Sequence, residues 1–171
     1  MASLMKAHYD MLARYNRWAN KRIYAAAAAL PEAELKEDRG AFFGSLFGTL
    51  THLIVADRIW LNRFTGEGET YDRLDAMPFD DLVALEAARL REDERIVEWV
   101  EGLGDEDLAG TFTYRRVSTP DEYTDQLAPA LAHFFNHQTH HRGQCHTILT
   151  GLGREGPVMD ILYFQREEAV A

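Results

Sequence analysis

Apolar residues recur at every third or fourth position over four long stretches of this chain, and that periodicity limits its fold more than any other feature. The first stretch runs from about Leu4 to Leu30, where Met5, His8, Leu12, Tyr15, Ala19 and Ile23 line one helical face. Its alanines favour helix and Pro31 stops it. The second runs from about Phe42 to Phe64, with Phe42, Leu46, Thr49, Leu53, Ala56 and Trp60 as its stripe and Gly66 as a C-cap. The polar link GEGETYDRLDAMP leads to a third, from about Asp80 to Glu101, capped by Asp80 or Asp81 and ended by Gly102 and Gly104. The last long helix spans about Gln126 to Thr150, with Pro129 tolerable only in its first turn and Gly151 as its cap. Ahead of it, TFTYRRV alternates and is rich in β-formers, which predicts a short strand or hairpin. Beyond it, VMDILYFQREE predicts a short fifth helix. Four long amphipathic helices in 171 residues predict an all-α four-helix bundle, and the long link between the second and third allows a crossover.

Composition narrows the function classes. Hydrophobic residues make up 46% and charged residues 27%, as expected for one folded domain over residues 1–171. Eighteen basic against 28 acidic residues give a net charge of −10, and no basic run is present. That balance argues against nucleic acid and against an anionic membrane surface as partners. Cys145 is the only cysteine, so no intramolecular disulfide forms, which fits a cytoplasmic protein. The opening MASLMKAHYD does not read as a signal peptide, and the alanine run Ala25 to Ala29 is too short to span a bilayer.

The segment HFFNHQTHHRGQCH, residues 133 to 146, holds five of the seven histidines. On a helix His133, His137 and His141 lie within about 80° of one another. Ala130, Phe134, Gln144 and Ile148 share that face, which predicts that it points at the core. His140 falls on the flank and His146 on the opposite, solvated side. His137 and His141, four residues apart, form an HxxxH clamp able to hold one metal ion. His133, one turn earlier, is a third ligand or a support behind the ligands. HQTHH resembles the zincin motif HExxH, but Gln138 stands where the general base belongs, and an amide cannot take the water's proton. That argues against peptide hydrolysis by that route. A catalytic site needs a further ligand from outside the cluster, and the candidates are His8 and His52, with periodicity slightly favouring His8.

NHQTHHRGQ, with THLIVADRIWLNRF upstream, YNRWANKRIY near the start and VMDILYF at the close, resembles the DinB-like family of damage-inducible, metal-dependent bundle proteins. The resemblance covers nearly the whole chain. It implies a four-helix bundle whose three metal ligands are one histidine of the second helix and the HxxxH pair of the last long helix. Those are His52, His137 and His141 here, in place of His8. His133 and Gln144 are left to line the pocket or support the ligands. Zinc and nickel are the metals it implies. Distant relatives include mycothiol-dependent isomerases and bacillithiol S-transferases, in which the metal holds a cofactor thiol as thiolate.

The leading expectation is therefore a divalent-metal-dependent S-transferase that uses a low-molecular-weight thiol and acts on a small electrophile. The alternatives are a non-catalytic metal-binding stress protein and a metal-dependent hydrolase. The resemblance also implies a homodimer, with an isologous interface of helices. Among the remaining residues, Arg142 is expected to pair with a surface acid or to serve a subunit contact, and Gly143 to permit close helix packing. Cys145 reads as a small buried filler, and Asp57 and Trp60 as fold determinants. Asp160 reads as a helix cap before it reads as a partner for a ligand histidine. Arg58 and Arg142 are the candidates for receiving a charged thiol.

Overall fold

The computed structural model describes residues 3–116, 119 and 121–170. In chain order the elements are α1 (Leu4–Ala28), α2 (Glu32–Lys36), α3 (Leu46–Thr65), α4 (Leu82–Gly102), α5 (Asp105–Ala109), β1 (Thr111–Arg115), β2 (Glu122–Gln126), α6 (Leu127–Gly151) and α7 (Ile161–Glu168). Helices α1, α3, α4 and α6 form a four-helix bundle, in which α1 and α3 each pack against both α4 and α6.

Cross-helix contacts give the directions. Early residues of α3 cluster with Leu85 at the start of α4, whereas Leu61 near its end clusters with Ile96 and Val97. Helices α3 and α4 are thus parallel, and the link over 66–81 must run back the length of the bundle. Tyr9 donates to the Ala128 carbonyl, and Arg142 reaches Asn20, so α1 and α6 are parallel as well. The predicted crossover is therefore present.

Side-chain caps set the starts of three of the four long helices. The Ser45 side chain accepts from Gly48 N and that of Asp81 from Ala84 N, each satisfying a donor left free in the first turn. Helix α3 begins at Leu46, not near Phe42, because residues 42–43 turn and Phe42 is 86% exposed. Tyr15, Ala19 and Ile23 of the expected stripe of α1 are buried, together with Tyr9, Ala13, Asn16 and Asn20, whereas Met5 and His8 are exposed. The apolar count missed part of the inward face because two of its positions are asparagines. Pro129 lies in the first turn of α6, as its missing N–H requires. Gly151 is the last helical residue, with Leu152 at the cap. Helix α7 starts at Ile161, behind Asp160 at the N-cap.

Strands β1 and β2 pair antiparallel with Thr113 opposite Thr124, so the expected hairpin forms over Thr111–Arg115, while Val117 of the predicted segment lies outside the described residues.

Two apolar clusters fill the bundle. One gathers Ile23, Leu50, Leu53, Leu85 and Leu149, the other Tyr9, Leu61, Ile96, Leu131 and Phe134. A polar layer to which all four long helices contribute lies between them. Arg89 donates to Asp57 at 2.6 Å and lies 2.9 Å from Asp93. Asn20 donates to Asp93 at 2.9 Å, and Arg142 donates to Asn16 and Asn20. Gln138 donates to Asp57 at the other end of this chain of bonds. Buried charges are tolerable when paired and hydrogen-bonded in this way.

Candidate metal centre

His52 rides on α3, where nearly every side chain from Leu46 to Ile59 is buried. Its ring is held on two sides. Phe43 stacks on it with centroids 3.7 Å apart and planes 16° from parallel. That stack depends on Gly48, since a Cβ there would collide with the Phe43 carbonyl. On the other side Nδ1 meets the Leu74 carbonyl at 2.9 Å. A carbonyl can only accept, so Nδ1 carries the proton and Nε2 presents a lone pair. His141 repeats the arrangement, with Nδ1 donating to Gln144 Oε1 at 2.7 Å.

His137 completes the group. Its Nε2 lies 3.3 Å from that of His52 and 3.1 Å from that of His141. A proton on His137 can serve one neighbour only, which leaves another lone pair facing nitrogen. A single cation relieves all three. Tetrahedral zinc with bonds of about 2.0–2.1 Å spaces its nitrogens by about 3.3–3.4 Å, close to the two spacings at His137. All three ligand atoms lie within 4.8 Å of one another.

Burial pushes the His52 imidazole down to about 4 against the pull of the Leu74 carbonyl. Burial also pushes His137 down to about 3, helped by the neighbouring histidines, and lowers His141. The neutral rings are the form that binds metal.

His52 and His137 open onto a cleft of about 1060 Å³ between α3, α6, the hairpin and the 66–81 link. Trp60, Arg63, Leu74, Tyr114 and His133 are among its walls. His133 is exposed, with its ring 5.2 Å from Trp60 and 6.0 Å from His137. It belongs to the cleft and not to the three-nitrogen group. Gln144 stands behind His141 and bonds His140 with its amide nitrogen. His8 is exposed against Tyr9, and the structure does not bring it to this group.

The histidine face of α6 points at the core only in part. Ala130, Phe134, His141 and Ile148 on it are buried, whereas His133 and His137 border the cleft, and Leu131, Gln138, Arg142, Cys145 and Leu149 share the inward side. The polar layer accounts for the difference, since it takes the Gln138 amide nitrogen and the Arg142 guanidinium inside the bundle. Gln138, at the zincin base position, turns away from the histidines toward Asp57 and the Leu53 carbonyl. Arg142 pairs with no surface acid but with two buried asparagines. Gly143 has open space where a Cβ would stand, so it does not mark a close helix crossing. His146 is half-buried and lines a smaller cavity of about 620 Å³, so it is not freely solvated. Cys145 is fully buried and its thiol is pushed up to about 12 by burial. Asp57 belongs to the layer, and Asp160 sits at the N-cap position of α7.

The two arginines expected to receive a charged thiol are engaged elsewhere. Arg142 is in the layer, and Arg58 pairs with Glu69, Glu92 and Tyr71. Arg73, Arg116 and Arg63 line the cleft, and the one packed on Trp60 is Arg63, which the sequence reading missed. Its signal was the spacing of Trp60 and Arg63, three residues apart on one helix face.

Fold and site together define a helical bundle with a three-histidine cluster at the floor of an open cleft. The chain belongs to the DinB family, whose family model matches residues 5–169. It is 24% identical over 151 residues to Protein DinB of Bacillus subtilis (strain 168), covering 83% of this chain and 84% of that one. A crystal structure of a DinB-like protein from Bacillus cereus ATCC 10987 superposes with a TM-score of 0.63 at 17% identity, over 82% of this chain and 90% of that one. Among the described residues no helix is long and apolar enough to cross a membrane.

Proposed function

We propose that His52, His137 and His141 bind one divalent ion, zinc or nickel, and that the protein is an S-transferase joining a low-molecular-weight thiol to a small electrophile. The convergence of three Nε2 atoms at the floor of a cleft carries the reading. A bound divalent ion supplies Lewis acidity that lowers the pKa of a thiol. The chain's own residues do the rest. Leu74 and Gln144 fix the tautomers of two histidines, and Phe43 fixes one ring plane. Trp60, Ile59 and Ala130 offer apolar wall to the substrate. Gln138, turned into the core, offers no base to activate water, which favours transfer over hydrolysis.

The test begins with metal content by mass spectrometry in the wild type and in His52→Ala, His137→Ala, His141→Ala and His146→Ala. The first three variants lose the ion and the fourth keeps it. Full occupancy in His52→Ala rejects the ligand set. Thiol-dependent consumption of a chlorinated aromatic is then measured with metal-loaded and metal-free protein. Equal rates across several thiols remove the transferase reading and leave a passive metal binder. Metal-dependent ester hydrolysis with no thiol dependence would favour the hydrolase instead.

The assembly we propose is a homodimer, supported by exposed apolar side chains on α4 such as Val83 and Leu90. A scattering mass of 19.5 kDa at micromolar concentration would defeat it.

A further inference from the structure

The far wall of the cleft carries a guanidinium without a counter-charge. Arg63 stands in the last turn of α3, with its CZ 4.7 Å from the Trp60 ring centroid and 4.8 Å from that of Tyr114. Among the described residues it pairs with no carboxylate and donates no hydrogen bond. A plain role exists, since a cation in the last turn suits the helix dipole. The two rings hold this one along the cleft wall instead, and burial, with the nearby charge of Arg116, lowers its affinity for a proton. The other charges of the cleft do not neutralise it. Arg73 is bonded twice to Asp75, at 2.6 and 2.7 Å. Asp125 accepts the Tyr114 hydroxyl at 2.9 Å. Asp72, on the 66–81 link, is exposed. A half-buried guanidinium flanked by aromatic rings presents a planar fork of donors suited to an oxyanion. In a protein of net charge −10, such a site is built against the overall field.

Arg63 is eleven residues beyond His52 on the same helix, a rise of about 16 Å, and its side chain leans back toward the helix start. Between the two lie Ala56, Ile59 and Trp60. One molecule reaching both ends is therefore extended, apolar along its middle and charged at one end. We propose that Arg63 receives an oxyanion, a carboxylate or a phosphate, and that the cleft selects elongated anionic small molecules whose opposite end lies at the histidines. Which end reacts rests on the function proposed above; the anion site itself does not.

The full chain as purified is titrated calorimetrically with octanoate, octyl phosphate and octanol. One anion or both bind about tenfold tighter than octanol, the gain expected of charge-assisted hydrogen bonds. The better of the two anions names the group. Arg63→Gln abolishes the preference and leaves octanol unchanged, which doubles as a check that the cleft is intact. Arg63→Lys keeps part of it. Equal binding of all three ligands by the wild type overturns the proposal, as does a preference that survives in Arg63→Gln or a failure of any ligand to bind. Cobalt-substituted protein then separates the two ideas. Mercaptooctanoate that binds in an Arg63-dependent way but leaves the cobalt spectrum unchanged keeps the anion site and removes the thiol reading. Equal spectral titration by mercaptooctanoate and mercaptooctanol overturns the anion site and keeps the thiol.

Discussion

His141 presents Nε2 to His137 because its Nδ1–H donates to Gln144 at 2.7 Å. Gln144→Leu should therefore lower metal affinity about 10- to 100-fold with the helical circular dichroism unchanged, as loss of a partner that orients a metal-binding imidazole does elsewhere. Competition with a chromophoric chelator measures it. Cys145 makes the opposite case. Its thiol is fully buried and pushed up to about 12, so almost no thiolate exists at pH 8. A disulfide reagent should leave it unlabelled in the native protein and modify it at the rate of unfolding in urea. The histidine pair of α6 was legible from a spacing of four. His52 was legible only as one of two candidates beside His8, because α3 is buried on nearly every side and its period does not single one residue out, so the resemblance decided between them. Leu74 bonds through its backbone, which no side-chain pattern records.

Helix α3 carries the burial of the bundle and one third of the histidine group, so its start matters twice. Ser45→Ala removes the cap to Gly48 N and should cost about 1 kcal/mol, read from the urea midpoint. Gly48→Ala should do more than its propensity suggests. A methyl group there meets the Phe43 carbonyl, forces residues 43–45 to move and unseats the ring stacked on His52. The expected result is a lower melting temperature together with weaker metal binding, whereas Ser45→Ala affects chiefly the former. The long helices were readable because each has its own period and stop signals. The start of α3 was misread because Phe42 extends the apolar spacing while its backbone turns. Helices α2 and α5, five residues each, are too short to show a period, and β2 reads EYTDQ, too polar to announce a strand without its partner.

The polar layer ties the bundle together at mid-height. Arg89→Met would leave Asp57 and Asp93 buried without their shared guanidinium and should destabilise by about 3–5 kcal/mol in equilibrium urea unfolding. Apart from Asp57, which reads as a fold determinant, nothing in the sequence announced the layer, since Asn16, Arg89 and Gln138 each look like ordinary surface residues until four helices meet. The crossover was legible only as a link too long for a hairpin. Its direction has a cost in time. Parallel packing of α1 with α6 joins Tyr9 to Ala128 and Asn16 to Arg142, across separations of 119 and 126 residues. Such high contact order for a helical protein should slow its refolding relative to an up-and-down bundle of similar length, measurable by stopped flow. Synthesis runs from the N-terminus, so a nascent chain holds His52 long before His137 and His141 leave the ribosome. The three nitrogens can meet only after α6 is released, so any ion they hold is acquired only then.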